Sequence, residues 1–397
     1  MDSSQVIVSG AGPVGLVTAL GLAQAGVEVL VLDKASSVGT APRAMAYRYV
    51  VLEGFERLGV LAEFLREGFR VDGLNFVDHA TGEQIHHSLR PVDGLVRHPY
   101  TLHLGQDQVS LILLRLLADL PNVSVRFDSE VLAVTRNDAA GVRVLVRTPE
   151  RERELDAAWL VGADGANSAV RKSLGVEFAG FTWTDRFVAM NIRHDFVARG
   201  LTEANFQIDR VFGAIIAKIN RDGLWRYAYR EPGEWSEEAL PDLIRDHLAR
   251  ALPDAGEVDV VTYSPYRVHQ RAAERFRVGR VLLAGDAAHV TNPTGGLGLV
   301  GGFLDAFVLA EALGAVAGGG ADESVLDGYA AERRRVFLDL VSPMATRNLR
   351  RLFQPPEGAE RARMLDALRH LARDAEASRE DILGLRAIVT PSLVRHG

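Results

Sequence analysis

The chain has no cysteine. Disulfides, cysteine nucleophiles, iron–sulfur clusters and cysteine–zinc sites are therefore excluded, and a reducing, cytoplasmic setting is expected. It also lacks a basic excess. The 45 Lys and Arg stand against 52 Asp and Glu, for a net charge of −7, so no nucleic-acid footprint is expected. No H-x-x-x-H or H-E-x-x-H spacing occurs, and no metal site is expected. The opening "MDSSQVIV" has no basic region before its apolar run, which argues against a signal peptide. One stretch, Ala287 to Leu304, is free of charge when His289 is neutral. Its glycines, proline and asparagine fit a loop entering a helix, so no membrane span is expected. There is no repeat and no low-complexity linker.

What is present fits a globular protein of 397 residues, 47% hydrophobic and 24% charged, long enough for two domains. "VIVSGAGPVGLVTALGLAQAGVEVLVLDK" predicts strand, glycine loop, helix (Val14 to Ala25) and second strand (Val29 to Leu32), a β-α-β unit with a parallel sheet. Arg43 to Leu65 reads as helical. Asp72 to His98 reads as strands with a hairpin at "HATGEQIHH", where His86 and His87 are expected on a solvated face. A helix and strand follow from Gly105, then a meander turning at Asp138–Gly141 and a strand, Ala158 to Gly162. Leu174 to Val268 reads mostly as strands, with one helix near Leu240 to Leu252. A helix is predicted over Leu297–Gly314, then a charged helical tail. No boundary is clean, which points to discontinuous domains.

Three loops carry the chemistry. "GAGPVG" places Gly10, Gly12 and Gly15 in G-x-G-x-x-G spacing, with Asp33 at the end of the next strand. Such a turn brings backbone N–H groups and a helix N-terminus to a diphosphate, and the acid to a ribose. "LVGADGANSAVR" puts Asp164 and Gly165 at a strand end, then Ser168 and Arg171 on a short helix. For Asp164 a helix-capping reading competes with a site reading, and for Arg171 a surface-charge reading does. "LLAGDAAHVTNPTGGLG" puts Gly285 and Asp286 at another strand end, then His289 and Pro293. His289 reads as a packed structural histidine. Gly295, Gly296 and Gly298 would let backbone approach a flat ring closely. The helix beginning near Gly298 and Leu299 would point its positive end at that ring.

These motifs, in this order, resemble the single-component flavoprotein aromatic hydroxylases, the p-hydroxybenzoate hydroxylase family, over about Val6 to Leu313. "LGQDQVSLILLRLL" and "APRAMAY" add Gln106 and Arg43. The resemblance implies an α/β fold: a Rossmann-like FAD-binding domain (1–70, 98–175, 270–345), an inserted β-rich substrate domain (71–97, 176–269) and a helical tail (346–397). It implies FAD held by Gly10, Gly12, Gly15, Asp33, Arg43, Gln106, Asp164, Gly285, Asp286, Gly298 and Leu299. Pro293, Gly295 and Gly296 would line the pocket beside the reactive flavin carbon. It implies NADPH or NADH as reductant and O₂ as co-substrate, with a flavin hydroperoxide hydroxylating an aromatic ring, phenol-like, polycyclic or heteroaromatic. Leu297 and Val300 stand where the family usually has polar residues. The strand "GLWRYAYREP" alternates, and its Trp225, Tyr227 and Tyr229 are expected to face the substrate. The alternatives are a flavin reductase, epoxidase or Baeyer–Villiger oxygenase on the same fold, or a non-catalytic flavin-binding protein. A homodimer is a possible assembly.

Overall fold

The computed structural model describes residues 3–253, 255–256 and 258–394; the first two residues of the N-terminal segment and the last three of the predicted tail lie outside it. The first strand runs Ser3–Ser9, the helix Pro13–Gln24 and the second strand Val29–Leu32. The helix is apolar around most of its circumference, so it can only be stable in a core. Leu16, Val17 and Ala19 are fully buried there.

The first sheet is eight-stranded. Its main path runs Arg277–Val278, Val281–Leu283, Glu152–Gly162, Ser3–Ser9, Val29–Leu32 and Val123–Arg126. The strands Glu130–Asp138 and Gly141–Arg147 branch from it as an antiparallel meander. Parallel register aligns Ser9 with Leu32 and with Gly162, and Gly162 with Leu283. The loops bearing Gly10, Asp33, Asp164 and Asp286 therefore leave one edge together. Open α/β sheets bind ligands at this carboxyl edge.

Helix Leu297–Ala317 packs against Pro13–Gln24. By length and mean hydropathy (1.8) it could cross a membrane. Here it is a core helix, with Val300, Phe303, Ala306 and Leu313 fully buried.

The second sheet is also eight-stranded: His289–Val290, Asp259–Ala273, Phe178–Arg193, Leu224–Glu231, Ala214–Lys218, Ala204–Ile208, Gly73–Asp78 and Gln84–Ser88. Its first strand belongs to the loop after Asp286, so the two sheets are stitched together there. Ala46–Tyr47, Thr101–His103 and Phe69–Val71 form a small third sheet.

The stretch Arg43–Leu65, expected to be helical, holds two helices, Tyr49–Arg57 and Leu61–Glu67, separated at the Leu58–Gly59 turn, but its start is the strand Ala46–Tyr47. The predicted helical tail ends as helix at Ile388 and is extended after it. Its helices Ser342–Phe353 and Gly358–Arg373 cover the second sheet, where Leu349, Leu352, Phe353 and Leu368 pack on Phe76, Ile85 and Phe187. Arg361 pairs with buried Asp78 at 2.6 Å, and Arg369 clasps Glu83 with two nitrogens. His87 is accordingly only half-exposed: its Nε2 donates to the carbonyl of Leu368 at 2.9 Å. His86 remains exposed.

Two other histidines make the fold acid-sensitive. His103 donates through Nδ1–H to the Lys218 carbonyl, 2.8 Å away, and His247 lies against the face of Tyr229, with ring centres 3.6 Å apart. Burial lowers the pKa of each from 6.5 to about 4. The unfolded chain then takes up protons that the folded chain refuses. Stability is expected to fall as pH drops from 6.5 towards 4, by roughly 3 kcal/mol per histidine. Urea unfolding across that range checks this, and His247→Gln should flatten the slope.

Candidate active site

At the N-terminal turn, Gly10 has φ +109°, and a Cβ there would stand 2.3 Å from the Ala163 carbonyl oxygen. Glycine is what allows the first and second loops to touch. A Cβ on Gly15 would meet the Gly10 carbonyl at 2.0 Å, whereas one on Gly12 would meet nothing within 4 Å. The helix N-terminus at Gly12 therefore faces open space. Asp33 accepts from Ala11 N at 2.6 Å and from Ala35 N at 2.8 Å, which holds its carboxylate across the mouth of the turn.

The second loop is built as the capping reading requires. Asp164 Oδ2 accepts from Ala169 N (2.8 Å) and Val170 N (3.1 Å), and Ser168 Oγ caps Arg171 N at 2.9 Å. Asp164 Oδ1 is buried and has no partner among the described residues. An acceptor left over at a loop edge can serve a ligand donor. Arg171 is not a surface charge. It is 3% exposed, donates to the carbonyls of Ala287 (2.9 Å) and Ala166 (2.8 Å), and covers the ring of Phe178. It joins the second loop to the third.

The third loop rests on a network that sequence reading missed. Asp305 comes from the apolar helix Leu297–Ala317 and Arg333 from the helix Ser324–Val336. Asp305 accepts from Arg333 Nε (2.7 Å), meets His289 Nε2 (2.7 Å) and accepts from Gly285 N (3.0 Å). All three side chains are at most 2% exposed. Burial alone would raise the Asp305 pKa, but His289 and Arg333 hold it below the usual range. His289 is thus scaffold, stacked on Phe337 with centres 4.5 Å apart. A lone acid in an apolar helix was the signal that could have found Asp305. Nothing distinguished Arg333 within "ERRR".

The network presents Asp286 at the open cleft. It is exposed there but enclosed by protein on its other sides, and this crowding raises its carboxyl pKa against the opposing pull of His289 and Arg43. Pro293 and Thr294 lead to Gly295 and Gly296, at φ +98° and +69°, a left-handed pair that only glycine adopts cheaply. Gly298 and Leu299 are half-buried on the first turn of the helix. Leu297 and Val300 turn into the core, 1% and 0% exposed, so neither can offer a polar contact.

Across the cleft stands the second sheet. A cavity of about 380 Å³ is lined by Arg43, Leu104, Gln106 and Asp107 on one side and Asn191, Leu224 and Arg226 on the other. Trp225, Tyr227 and Tyr229 do not face it. They lie under helix Leu240–Ala251, buried with Ile244 and Leu248, and Tyr227 Oη meets His247 Nε2 at 3.2 Å. The strand alternation was read correctly and assigned to the wrong side: that amphipathic helix needs an apolar partner, and the aromatic face supplies it.

An open helix N-terminus at Gly12, the Asp33 carboxylate across its mouth, and a second acid–glycine loop at the same sheet edge are the parts of a dinucleotide-binding site. The chain matches the FAD binding domain family over residues 3–343. It is 43% identical to the 6-hydroxy-3-succinoylpyridine 3-monooxygenase HspB of Pseudomonas putida (strain DSM 28022 / S16), over 95% of this chain and 96% of that one. It is 40% identical to the para-nitrophenol 4-monooxygenase of Pseudomonas sp. (strain WBC-3), over 96% and 95%. The crystal structure of p-nitrophenol 4-monooxygenase PnpA from Pseudomonas putida DLL-E4 superposes with a TM-score of 0.94 at 39% identity, covering 98% of this chain and 99% of that one. The chain belongs to the FAD-dependent aromatic monooxygenases, with the p-hydroxybenzoate hydroxylase-like fold. It is an oxygenase of aromatic compounds that uses FAD, NAD(P)H and O₂.

Proposed function

We propose that the substrate is a six-membered aromatic ring with a hydroxyl para to an electron-withdrawing substituent, oxygenated on the carbon bearing that substituent. The names of the two relatives support this. Each puts the oxygen on a ring position that carries a succinoyl or nitro group opposite a hydroxyl. The observation that carries the reading is the cavity shared by Arg43 and Gln106 with Asn191 and Arg226, where a ring could lie between cofactor and second sheet.

FAD, when bound, would supply the hydride-accepting and O₂-activating chemistry. The remaining work falls to this chain. Gly10, Gly12 and Gly15 would receive the diphosphate at the helix N-terminus, with Arg43 as its cationic partner and Asp33 on the ribose. Asp286 would bond the ribityl chain, and Gln106 and the backbone near Asp164 would steady the middle of the cofactor. Gly295, Gly296, Gly298 and Leu299 would meet the ring edge through backbone, since Leu297 and Val300 cannot. The dipole of helix Leu297–Ala317 would favour negative charge there. Pro293 would form the wall beside the reacting carbon.

The boundaries 1–70, 98–175 and 270–345 for the cofactor domain, and 71–97 and 176–269 for the substrate domain, are supported by sheet membership except that His289–Val290 of the second sheet falls inside 270–345. The strand Asp259–Ala273 crosses the join. A cytoplasmic setting accords with a cysteine-free chain. A homodimer would use the exposed Val261 and Tyr263; light scattering decides it.

The test is anaerobic reduction by NADPH and by NADH, with and without para-substituted phenols. Acceleration by these phenols above unsubstituted phenol is expected. No acceleration by any of them would sink the assigned substrate class.

A further inference from the structure

One amide stands in an otherwise apolar stripe. Helix Ser342–Phe353 turns Ala345, Leu349, Leu352 and Phe353 into the protein, all of them buried. Asn348 lies on the same side, about one turn from Ala345 and from Leu352, because residues three and four apart share a helix face. It is half-buried, and its side chain makes no hydrogen bond among the described residues. The helix runs across a junction. Ala345 belongs to the core of Leu297 and Phe303, whereas Leu349 and Leu352 belong to that of Phe187 on the second sheet. The amide therefore sits where the two cores meet.

It faces the third loop. Asn348 Nδ2 stands 2.9 Å from the point that a Cβ on Gly295 would occupy, so the glycine leaves the space into which the amide projects. Gln270, on the strand Asp259–Ala273, fixes that approach. Its Nε2 donates to Ser342 Oγ at 2.8 Å, at the start of the helix. Its Oε1 accepts from Thr291 Oγ1 (3.1 Å) and Asn292 N (3.3 Å), on the loop. Asn292 Oδ1 in turn accepts from Thr294 N at 3.0 Å. The turn before the helix, Phe337–Val341, is a π-turn. Its extra residue sets the rotation at which Asn348 meets the loop. Helix and loop thus hold an amide with an unused N–H against Gly295.

We propose that Asn348 determines specificity, its amide N–H donating to the acceptor oxygen of the ring substituent at the carbon to be oxygenated. This rests on the proposed substrate class and deepens it. In that reading the oxygenated carbon lies beside Pro293 and Gly295, and the nitro or acyl group is bonded to that same carbon. Its oxygen is therefore carried into the region that Asn348 borders. A neutral amide donor suits a neutral acceptor. A ring with a methyl group at that position gives the amide no partner and displaces the water that would serve it, so it binds less well.

The test uses FAD-loaded protein, with dissociation constants read from perturbation of the flavin spectrum. Probes are 4-nitrophenol, 4-hydroxyacetophenone and 4-methylphenol, the last filling the para position without an acceptor. Each variant is compared with wild type on the same probe, so ionisation of the hydroxyl cancels. Wild type is expected to favour the two acceptor-bearing phenols. Asn348→Ala should reduce that preference by roughly five- to tenfold, the loss of one hydrogen bond between neutral groups. Asn348→Asp, of the same size but accepting only, should reduce it further. An unchanged preference in the variants would overturn the proposal. So would weaker FAD binding with the preference intact, which would assign the amide to the cofactor. Where Asn348→Ala does not fold, Asn348→Asp decides alone by the same measurement. A wild type that binds all three phenols alike overturns the proposal and leaves the aromatic-oxygenase reading standing. Failure of all three to bind would strike the proposed substrate class itself, and Asn348 as its specificity residue with it.

Discussion

Asp305→Ala is expected to lower the unfolding free energy by about 3–5 kcal/mol, because it strands the buried Arg333 charge and removes the partner of His289. The same change takes away the acceptor of Gly285 N–H, on the loop that presents Asp286. FAD affinity is therefore expected to fall as well, by at least about tenfold, the loss of one hydrogen bond to a charged group. Chemical denaturation and FAD titration check the two effects separately. The double variant Asp305→Leu with Arg333→Met removes both charges together, and such replacements are often neutral for stability. It should regain stability and still bind FAD weakly. A double variant that also regains FAD affinity would show that Asp305 acts only on stability. Arg333 also donates to the Ile388 carbonyl and to Thr390 Oγ1. The extended end of the chain is thus tied to the same carboxylate that sets the third loop.

Gly10→Ala is expected to abolish FAD binding, with a loss on the order of a hundredfold or more in affinity, about 3 kcal/mol. The new methyl group would stand inside contact distance of the Ala163 carbonyl at a φ that alanine rarely adopts. The first and second loops must then separate, and both border the opening for the diphosphate. Gly12→Ala is the contrasting variant. Its methyl group meets no protein atom and its backbone is ordinary, at φ −72°. That variant should fold with unchanged stability yet bind FAD poorly, since the methyl group projects into the space the phosphates need. Absorbance of the purified proteins and their melting temperatures distinguish the cases. A yellow, stable Gly10→Ala protein would remove the turn from the cofactor site.

The sequence by itself determined the β-α-β start and the strand ends that carry the three loops, while FAD entered only through the family resemblance those distant loops carry together. The β-α-β start is local: a glycine turn, a strand end and an apolar helix are dictated by residues within about 30 positions of one another. Period-2 alternation also separated the two faces of Leu224–Glu231. It could not say which face meets the cofactor, because that depends on where helix Leu240–Ala251 docks. The apolar stripe of that helix claimed Trp225, Tyr227 and Tyr229, and so left Arg226 to the cleft. Distant segments also decided two other positions. The third loop buries Arg171, which removes its surface-charge reading, and helix Gly358–Arg373 half-buries His87, which was expected on a solvated face. The Asp305–His289–Arg333 cluster joins three segments whose mutual approach is set by the packing of two helices on a loop. Only the tertiary structure decided which of the many arginines would be buried, because burial and pairing of a charge are properties of the assembled core and not of the residue.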